Sequence, residues 1–442
     1  MPLLPSRGPQ AAPHVRAARW AVSALFFLNA VLFANLVPRL PDVKDRLDLS
    51  NAELGAAVAA MPFGSLVAGL FAPVLIQRFG SGNVAALGLV GLGAAVAGVP
   101  WAGSLAGLVV VMLLVGAVDA VVDVGQNAHG FRVQRAYGRS VINGMHALWS
   151  IGAVAGGLLG SAAVGLGVPL STHLAVSAVV FAVVAVVARR FLLPGAEDAE
   201  RADLVVAPAE GPTPPVDDPP VDEPPVDEPP EDRAPSSAEG RLRRVPSRTW
   251  GLLALLGLLA ACEAFVQDAA SSWSALFMRT EVGTSAAVGG MAFVAMQGAA
   301  TVGRLVGDRV VDRFGQRRVA RVGGALTAVG MALALLLPSV GTAVLGFALA
   351  GLGIATLVPA AMHAADEIPG LPAGVGLTVV GWLLRVGFLL SPVVVGVLAD
   401  LTSLRLALGT VVVAGVLVLL GGRVLGDDRA RRSDAGGASA PA

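Results

Sequence analysis

The sequence predicts an all-α membrane protein: twelve transmembrane helices in two pseudo-symmetric six-helix halves. Three observations carry that prediction. First, mean hydropathy is +0.74 and only 14% of the 442 residues are charged, too few to cover the surface of a soluble chain of this size. Second, apolar stretches of roughly 20 residues, the length that crosses a bilayer, recur about twelve times. Third, one residue pattern occurs twice at a constant spacing of 235 positions. Arg78-Phe79-Gly80 returns as Arg313-Phe314-Gly315, and Ser50, Ala52 and Gly55 return as Ser285, Ala287 and Gly290. Met61 returns as Met296, and Gly152 as Gly387. A constant offset over such separated points means two copies of one unit with few net insertions. Two membrane-embedded halves related by an axis along the membrane normal are a plan for moving a solute across a bilayer.

The elements follow in order. Residues 1–18 form a short N-terminal segment. The first span, 19–38, follows Arg16 and Arg19 as a signal peptide would, but eleven more spans succeed it, so it reads as a retained helix. Ser50 or Asn51 caps the second span, 52–75, with Glu53 in its first turn. The third and fourth cover 81–100 and 104–128. The fifth, 141–166, carries Gly152, Gly156 and Gly160 at every fourth position with Gly157 beside them, a face that admits a second helix closely in lipid. The sixth, 170–192, completes an N-terminal half over 19–193. Residues 194–247 are a linker whose core repeats Pro-Pro-Val-Asp followed by Asp or Glu. Proline stiffness and acid repulsion make it a semi-extended spacer without a core. The second half, 248–425, has spans at 249–275, 285–310, 318–338, 341–363, 374–398 and 402–425. Its eleventh span carries Gly387, Ser391, Pro392 and Gly396, with Pro392 expected to kink it. The tail, 426–442, is polar and expected to be disordered.

Charge placement orients the chain. Of 31 basic residues, Arg304 and Arg385 lie deep within spans, and Arg39, Lys44, Arg46, Arg279 and Arg405 lie in one set of alternate loops or at the span ends beside them. The rest fall on the other side. By the positive-inside rule, the linker and both termini are cytoplasmic. Abundant Gly, Ala, Val and Arg beside a single Lys suggest a GC-rich bacterial genome and hence the bacterial plasma (inner) membrane. A formal net charge of zero argues against a nucleic-acid partner. Cys262, the only cysteine, excludes an intrachain disulfide. The sequence shows no phosphate-binding loop, metal-spaced His/Cys cluster or Ser-His-Asp arrangement, so enzymatic activity, a metal, a cofactor and ATP drive are not expected. A monomer is expected.

Ionisable residues within spans are costly, at least ~3 kcal/mol at mid-membrane, and so point to function or pairing. In the fourth span, Asp119, Asp123 and Asn127 recur every fourth residue and share one face. Two carboxylates one turn apart repel, an arrangement suited to taking up and releasing a proton. On the fifth span Asn143, His146 and Ser150 share a face, with His146 at a depth similar to Asp123. In the seventh, Glu263, Gln267 and Ser271 recur every fourth residue with Asp268 beside them. Arg385 lies near mid-depth of the eleventh and needs an anion; Glu263 and Asp268 are the candidate partners. The repeat counterparts of Glu263, Arg385 and Asp123 are Leu28, Ser150 and Val358, and charges that break the symmetry favour chemistry over scaffold. A static pair that merely holds the half together fits Arg385 as well as a substrate contact does. Asn29, Asn35, Trp149, Gln297 and Trp382 add amides and indoles that suit a small polar ligand such as a sugar.

These residues also carry a resemblance. Asp312-Arg313-Phe314-Gly315-Gln316-Arg317-Arg318 resembles the loop signature of the major facilitator superfamily, with Gln316 at an Arg position and Asp308 at its leading Gly. The first-half copy, Gln77-Arg78-Phe79-Gly80-Ser81-Gly82, lacks the Asp and the basic pair. Asp123-Val-Gly-Gln-Asn127-Ala resembles the corresponding segment of fucose permeases. Gly138-Arg139, His146-Ala-Leu-Trp149-Ser150 and Gly303-Arg304-Leu-Val-Gly307-Asp308-Arg309 are similar to that branch and to the rhizopine-transport type of membrane protein. The resemblance implies a secondary transporter of a small molecule, driven by protons through alternating access. It places a cavity between the first, fourth, seventh and tenth helices. Asp123 then is the proton site, tuned by Asp119 and His146. Asn127, Asn29, Trp149, Glu263, Gln267, Asp268, Arg385 and Trp382 contact substrate. Arg78, Arg304, Asp308, Asp312 and Arg313 form the gating loops, with Arg304 and Asp308, one turn apart, in a cluster that braces the outward-facing state. The run from Gly152 to Gly160 resembles the antiporter signature except that Gly157 replaces its Pro, so drug or metabolite export stands beside sugar-like uptake. A transporter-like receptor that moves nothing is the reading from another class.

Overall fold

The computed structural model describes residues 12–195, 197, 246–368, 371 and 374–425. Twelve helices are long and apolar enough to cross a membrane, and the described residues include no strand. The first six are Pro13–Leu47, Asn51–Gly69, Ser81–Trp101, Leu105–Tyr137, Ile142–Gly165 and Leu170–Arg189. The second six are Ser247–Thr280, Ala286–Phe314, Gln316–Leu336, Val340–Asp366, Val375–Leu401 and Leu404–Val424. Most of the linker (198–245) and the tail (426–442) lie outside the described residues.

Local chemistry sets the boundaries. Ser50 Oγ accepts from the Glu53 amide at 3.1 Å while the Glu53 carboxylate accepts from the Ser50 amide at 2.8 Å, so the expected cap is a full capping box. The segment 39–51, expected to be a loop, is largely helical: a short 3-10 turn Val37–Arg39 leads into the helix Leu40–Leu47. Pro38 and Pro41 stand at the starts of these segments, where a missing amide hydrogen costs nothing. The fourth and seventh spans run 33 and 34 residues, beyond the roughly 20 that a bilayer needs. Arg132 and Arg135, which read as loop residues, therefore lie on the fourth helix.

The beginning of the expected linker is docked. Arg132, buried, donates to the Pro194 carbonyl at 3.1 Å and pairs with Glu197 at 3.4 Å. Glu197 also accepts from the Ser81 amide at 2.5 Å, at the N-terminus of the third span. A carboxylate there complements the helix dipole.

The repeat is visible in the backbone. Gly80 (φ 81°, ψ 144°) and Gly315 (φ 84°, ψ 147°), 235 positions apart, each join two helices in a conformation that side chains rarely adopt. Packing repeats too. A Cβ on Gly116 would strike the Met61 carbonyl, and one on Gly351 the Met296 carbonyl, the same pair at the same offset. The glycine face of the fifth span seats along the first: Gly156 and Gly160 lie against the carbonyls of Val31 and Asn35, at 2.7 and 2.5 Å from an idealised Cβ. Close helix contact therefore follows the expected stripe.

The first span is central and the sixth peripheral: 78% of the former's apolar window is buried inside the protein and 22% of the latter's. Val176, Val179, Val183 and Val187 of the sixth are exposed, as a lipid-facing surface requires.

The halves are clamped at the end that carries segment 39–51. Asp400 accepts from the backbone amides of Asn51 and Ala52 at 2.9 and 2.7 Å, at the N-terminus of the second span. Arg279 pairs with Asp42 at 2.8 Å and Asp45 at 3.3 Å. Gly55 packs on the Pro392 carbonyl, and Gly165 against Ala287. Towards the opposite end the central cavity includes Gly69 and Leu70, and Leu70 is 76% exposed.

Candidate functional site

A cavity of about 710 Å³ lies between the halves, within the size of small-molecule sites. Its walls come from the first, second, fourth, fifth, seventh, eighth and eleventh spans. The tenth, expected to line it, contributes no wall residue. It is held behind the seventh and eighth, with Phe347 against Phe277 at 6.0 Å between ring centroids and Gly351 against Met296.

On the N-terminal side, the four-residue spacing of the fourth span delivers Asp119 and Asp123 to the cavity. Asn29 of the first span donates to Asp119 at 2.7 Å, and the Trp149 indole donates to Asn29 at 2.8 Å. This Trp149–Asn29–Asp119 chain joins three helices and satisfies the buried amide of Asn29. Asp123 accepts from the Asn127 amide at 3.0 Å, and His146 meets the Asn127 carbonyl oxygen at 3.1 Å. His146 thus reaches Asp123 through Asn127 instead of pairing with it directly. Asn127 and His146 stand outside the cavity wall: Asn127 is one turn beyond Asp123, and His146 is exposed with its ring edge-on to Phe26 at 5.0 Å.

On the C-terminal side, Glu263, Gln267, Asp268 and Ser271 line the cavity from the seventh span. Gln267 donates to Gln297 of the eighth at 2.7 Å, and Ser272 donates to Asp268 at 3.3 Å. Glu263 is only 8% exposed. The expected partnership of Arg385 with Glu263 or Asp268 is not formed: among the described residues Arg385 makes no ion pair, and its guanidinium donates to the Gly381 carbonyl of its own helix at 3.0 Å. The cation that acts electrostatically on Glu263 is Arg304.

Arg304 lines the cavity and forms no ion pair with Asp308, which is exposed. The brace that the resemblance implies belongs to the outward-facing state, in which the opposite end is open. Asp312 is exposed, and the other loop residues behave alike: Arg78 lies over Phe79 at 5.5 Å and Arg313 over Phe314 at 5.6 Å.

Sequence reasoning did not single out Phe33, Phe293, Phe388 or Ser65, which complete the wall. Apolar residues in apolar spans carry no distinguishing signal. The clamp residues Asp42, Asp45, Arg279 and Asp400 are visibly charged, but segment 39–51 holds six charged residues and nothing in the sequence pairs two of them with Arg279.

Comparison with known proteins matches this architecture. The profile of the Major Facilitator Superfamily fits the chain twice, over residues 22–277 and 256–441. An uncharacterized MFS-type transporter of Yersinia pestis is 26% identical over 386 residues, covering 87% of this chain and 90% of the relative. Membrane protein MosC of Rhizobium meliloti is 26% identical over 415 residues, covering 94% and 92%. Among solved structures, the nucleoside transporter NupG superposes with a TM-score of 0.70 at 11% identity, covering 92% of this chain and 98% of that one, a likeness of fold. The doubled profile match and the twelve-helix architecture place this chain in the Major Facilitator Superfamily, as a multi-pass membrane transporter and not an enzyme.

Proposed function

We propose that this protein is a secondary transporter that carries a small molecule across the bacterial plasma membrane by alternating access, coupled to protons, as a monomer. One observation carries the reading. Four carboxylates and two guanidiniums surround a single cavity between two halves that are clamped at one end. A scaffold has no use for such charges at mid-membrane, where each is costly. Asp123 is the proposed proton carrier: it is exposed to the cavity and held by a single side-chain amide. Asp119, bonded to Asn29, supports it, and His146 acts on it through Asn127. Asn29, Trp149, Gln267, Asp268, Trp382 and Arg385 contact the substrate. By charge placement the clamped end faces outward and the termini and linker are cytoplasmic, so the cavity is open inward. The domain limits are those of the two halves with a tether between them.

The test is transport into proteoliposomes with and without an imposed pH gradient. Accumulation driven by that gradient is expected. Flux indifferent to it removes the proton from the mechanism.

A further inference from the structure

The carboxylates and guanidiniums of the cavity differ in one respect that bears on the substrate. A carboxylate becomes neutral by taking a proton, and a guanidinium cannot lose its own under cellular conditions. Asp119 accepts from Asn29, Asp123 from Asn127 and one oxygen of Asp268 from Ser272, while the other Asp268 oxygen has no hydrogen-bond partner among the described residues. Arg385 makes one hydrogen bond, to the Gly381 carbonyl, and Arg304 makes none to a described residue, acting on Glu263 without ion-pair contact. Both line the same cavity, and neither is in ion-pair contact with an acid. Around them the walls are aromatic. Phe33, Trp149, Phe293, Trp382 and Phe388 all contribute, and Trp382, one turn from Arg385, is 57% exposed.

Resting on the transport reading above, we infer that the substrate is an organic anion with an aromatic or apolar body, its acid group held by Arg385 and Arg304 and its body against Trp382 and Phe388. Guanidinium groups bind planar acid groups through paired N–H donors and stack on aromatic faces. An anion offers these donors what the protein withholds. With the acids protonated, a neutral sugar leaves both fixed charges without a counterion, and an organic cation adds a third. When the acids hold protons, the two arginines are the only charges left in the wall, so the protonated cavity is the anion-accepting one. The same carboxylates thereby serve proton movement and substrate choice.

Matched ligands separate the possibilities. Benzoate, benzenesulfonate, benzyl alcohol and benzylamine share one ring and differ in head group. Thermal unfolding of the full-length protein in detergent is measured against each. Benzoate or benzenesulfonate should raise the midpoint, and the alcohol and amine should not. Arg385→Gln and Arg304→Gln should each weaken that anion about 10- to 100-fold, the range for hydrogen bonds to a charged group. Arg385→Lys keeps the charge and loses the fork, so it should retain part of the affinity; it decides the matter where a glutamine variant does not fold. Stabilisation by the alcohol or the amine equal to that by the anions overturns the inference. So does an anion effect untouched in the arginine variants, and so does no effect of either anion. Counterflow of benzenesulfonate, whose permanent charge bars passive leakage, tells the two readings apart. Binding without counterflow contradicts transport and leaves the anion site standing. Counterflow of radiolabelled benzylamine, with no binding of anions, contradicts the anion site and leaves transport standing.

Discussion

Asp123 and its neighbours show how a few side chains divide the work. Asp119 and Asp123 both line the cavity and each accepts from one side-chain amide: the former from Asn29, which Trp149 holds in turn from a third helix, and the latter from Asn127 of its own helix. Asp123→Asn preserves shape and removes the proposed proton carrier. It is expected to abolish gradient-driven accumulation in proteoliposomes while sparing counterflow; normal uphill accumulation by the variant excludes Asp123 from coupling. Asn29→Ala breaks both links of the chain at once, leaving the Asp119 and Trp149 groups without that partner. A loss of about 1–3 kcal/mol is expected, read as a lower unfolding midpoint in detergent. Arg385 has no contact with Glu263, so Arg385→Ala and Glu263→Gln should act additively on stability, within about 0.5 kcal/mol in a double-mutant cycle. A larger coupling energy restores the ion pair that sequence spacing suggested.

Helices were legible where hydrophobicity, caps and repeats agree. The Ser50 cap, the 235-residue offset and the glycine stripe on the fifth span all correspond to observed geometry. Two kinds of feature were not. Segment 39–51 is polar enough to read as a loop, yet Pro38 just before it and Pro41 within it start helical turns. The facing of Arg304 and the withdrawal of the tenth span depend on helix rotation, which packing of particular glycines decides and a single sequence does not display. Gly351 is such a position. Gly351→Val must push against the Met296 carbonyl and is expected to cost at least about 1–3 kcal/mol by overpacking. Gly298→Ala on the eighth span, with open space at its Cβ, serves as the tolerated control in the same unfolding assay. The Pro-Pro-Val-Asp repeats of the linker lie outside the described residues, and their composition argues for a tether. Deleting residues 214–230 should leave membrane insertion and transport near normal.

At the scale of the whole molecule, the proposed alternating access requires two halves that rock about the central cavity, and the clamp holds one end closed in this structure. Its ion pairs are modest. The Arg279 and Asp42 side chains are 25% and 26% exposed, and partly exposed pairs contribute about 0.2–1 kcal/mol each. Asp400 adds two charge-assisted hydrogen bonds at a helix N-terminus. A clamp of that size lies within reach of the binding energy of a ligand or a proton, since about 1.4 kcal/mol shifts an equilibrium tenfold. The most direct test needs no substrate. Spin labels at Leu166 and Thr402, exposed at the clamped end, and at Ser140 and Asp366, exposed at the other, report both ends by pulsed dipolar spectroscopy in a Cys262→Ser background. With the clamp weakened by Asp42→Asn and Arg279→Gln, the Leu166–Thr402 distances should lengthen while the Ser140–Asp366 distances shorten. Distances unchanged at both ends, or moving in the same direction at both, would contradict alternating access in this protein.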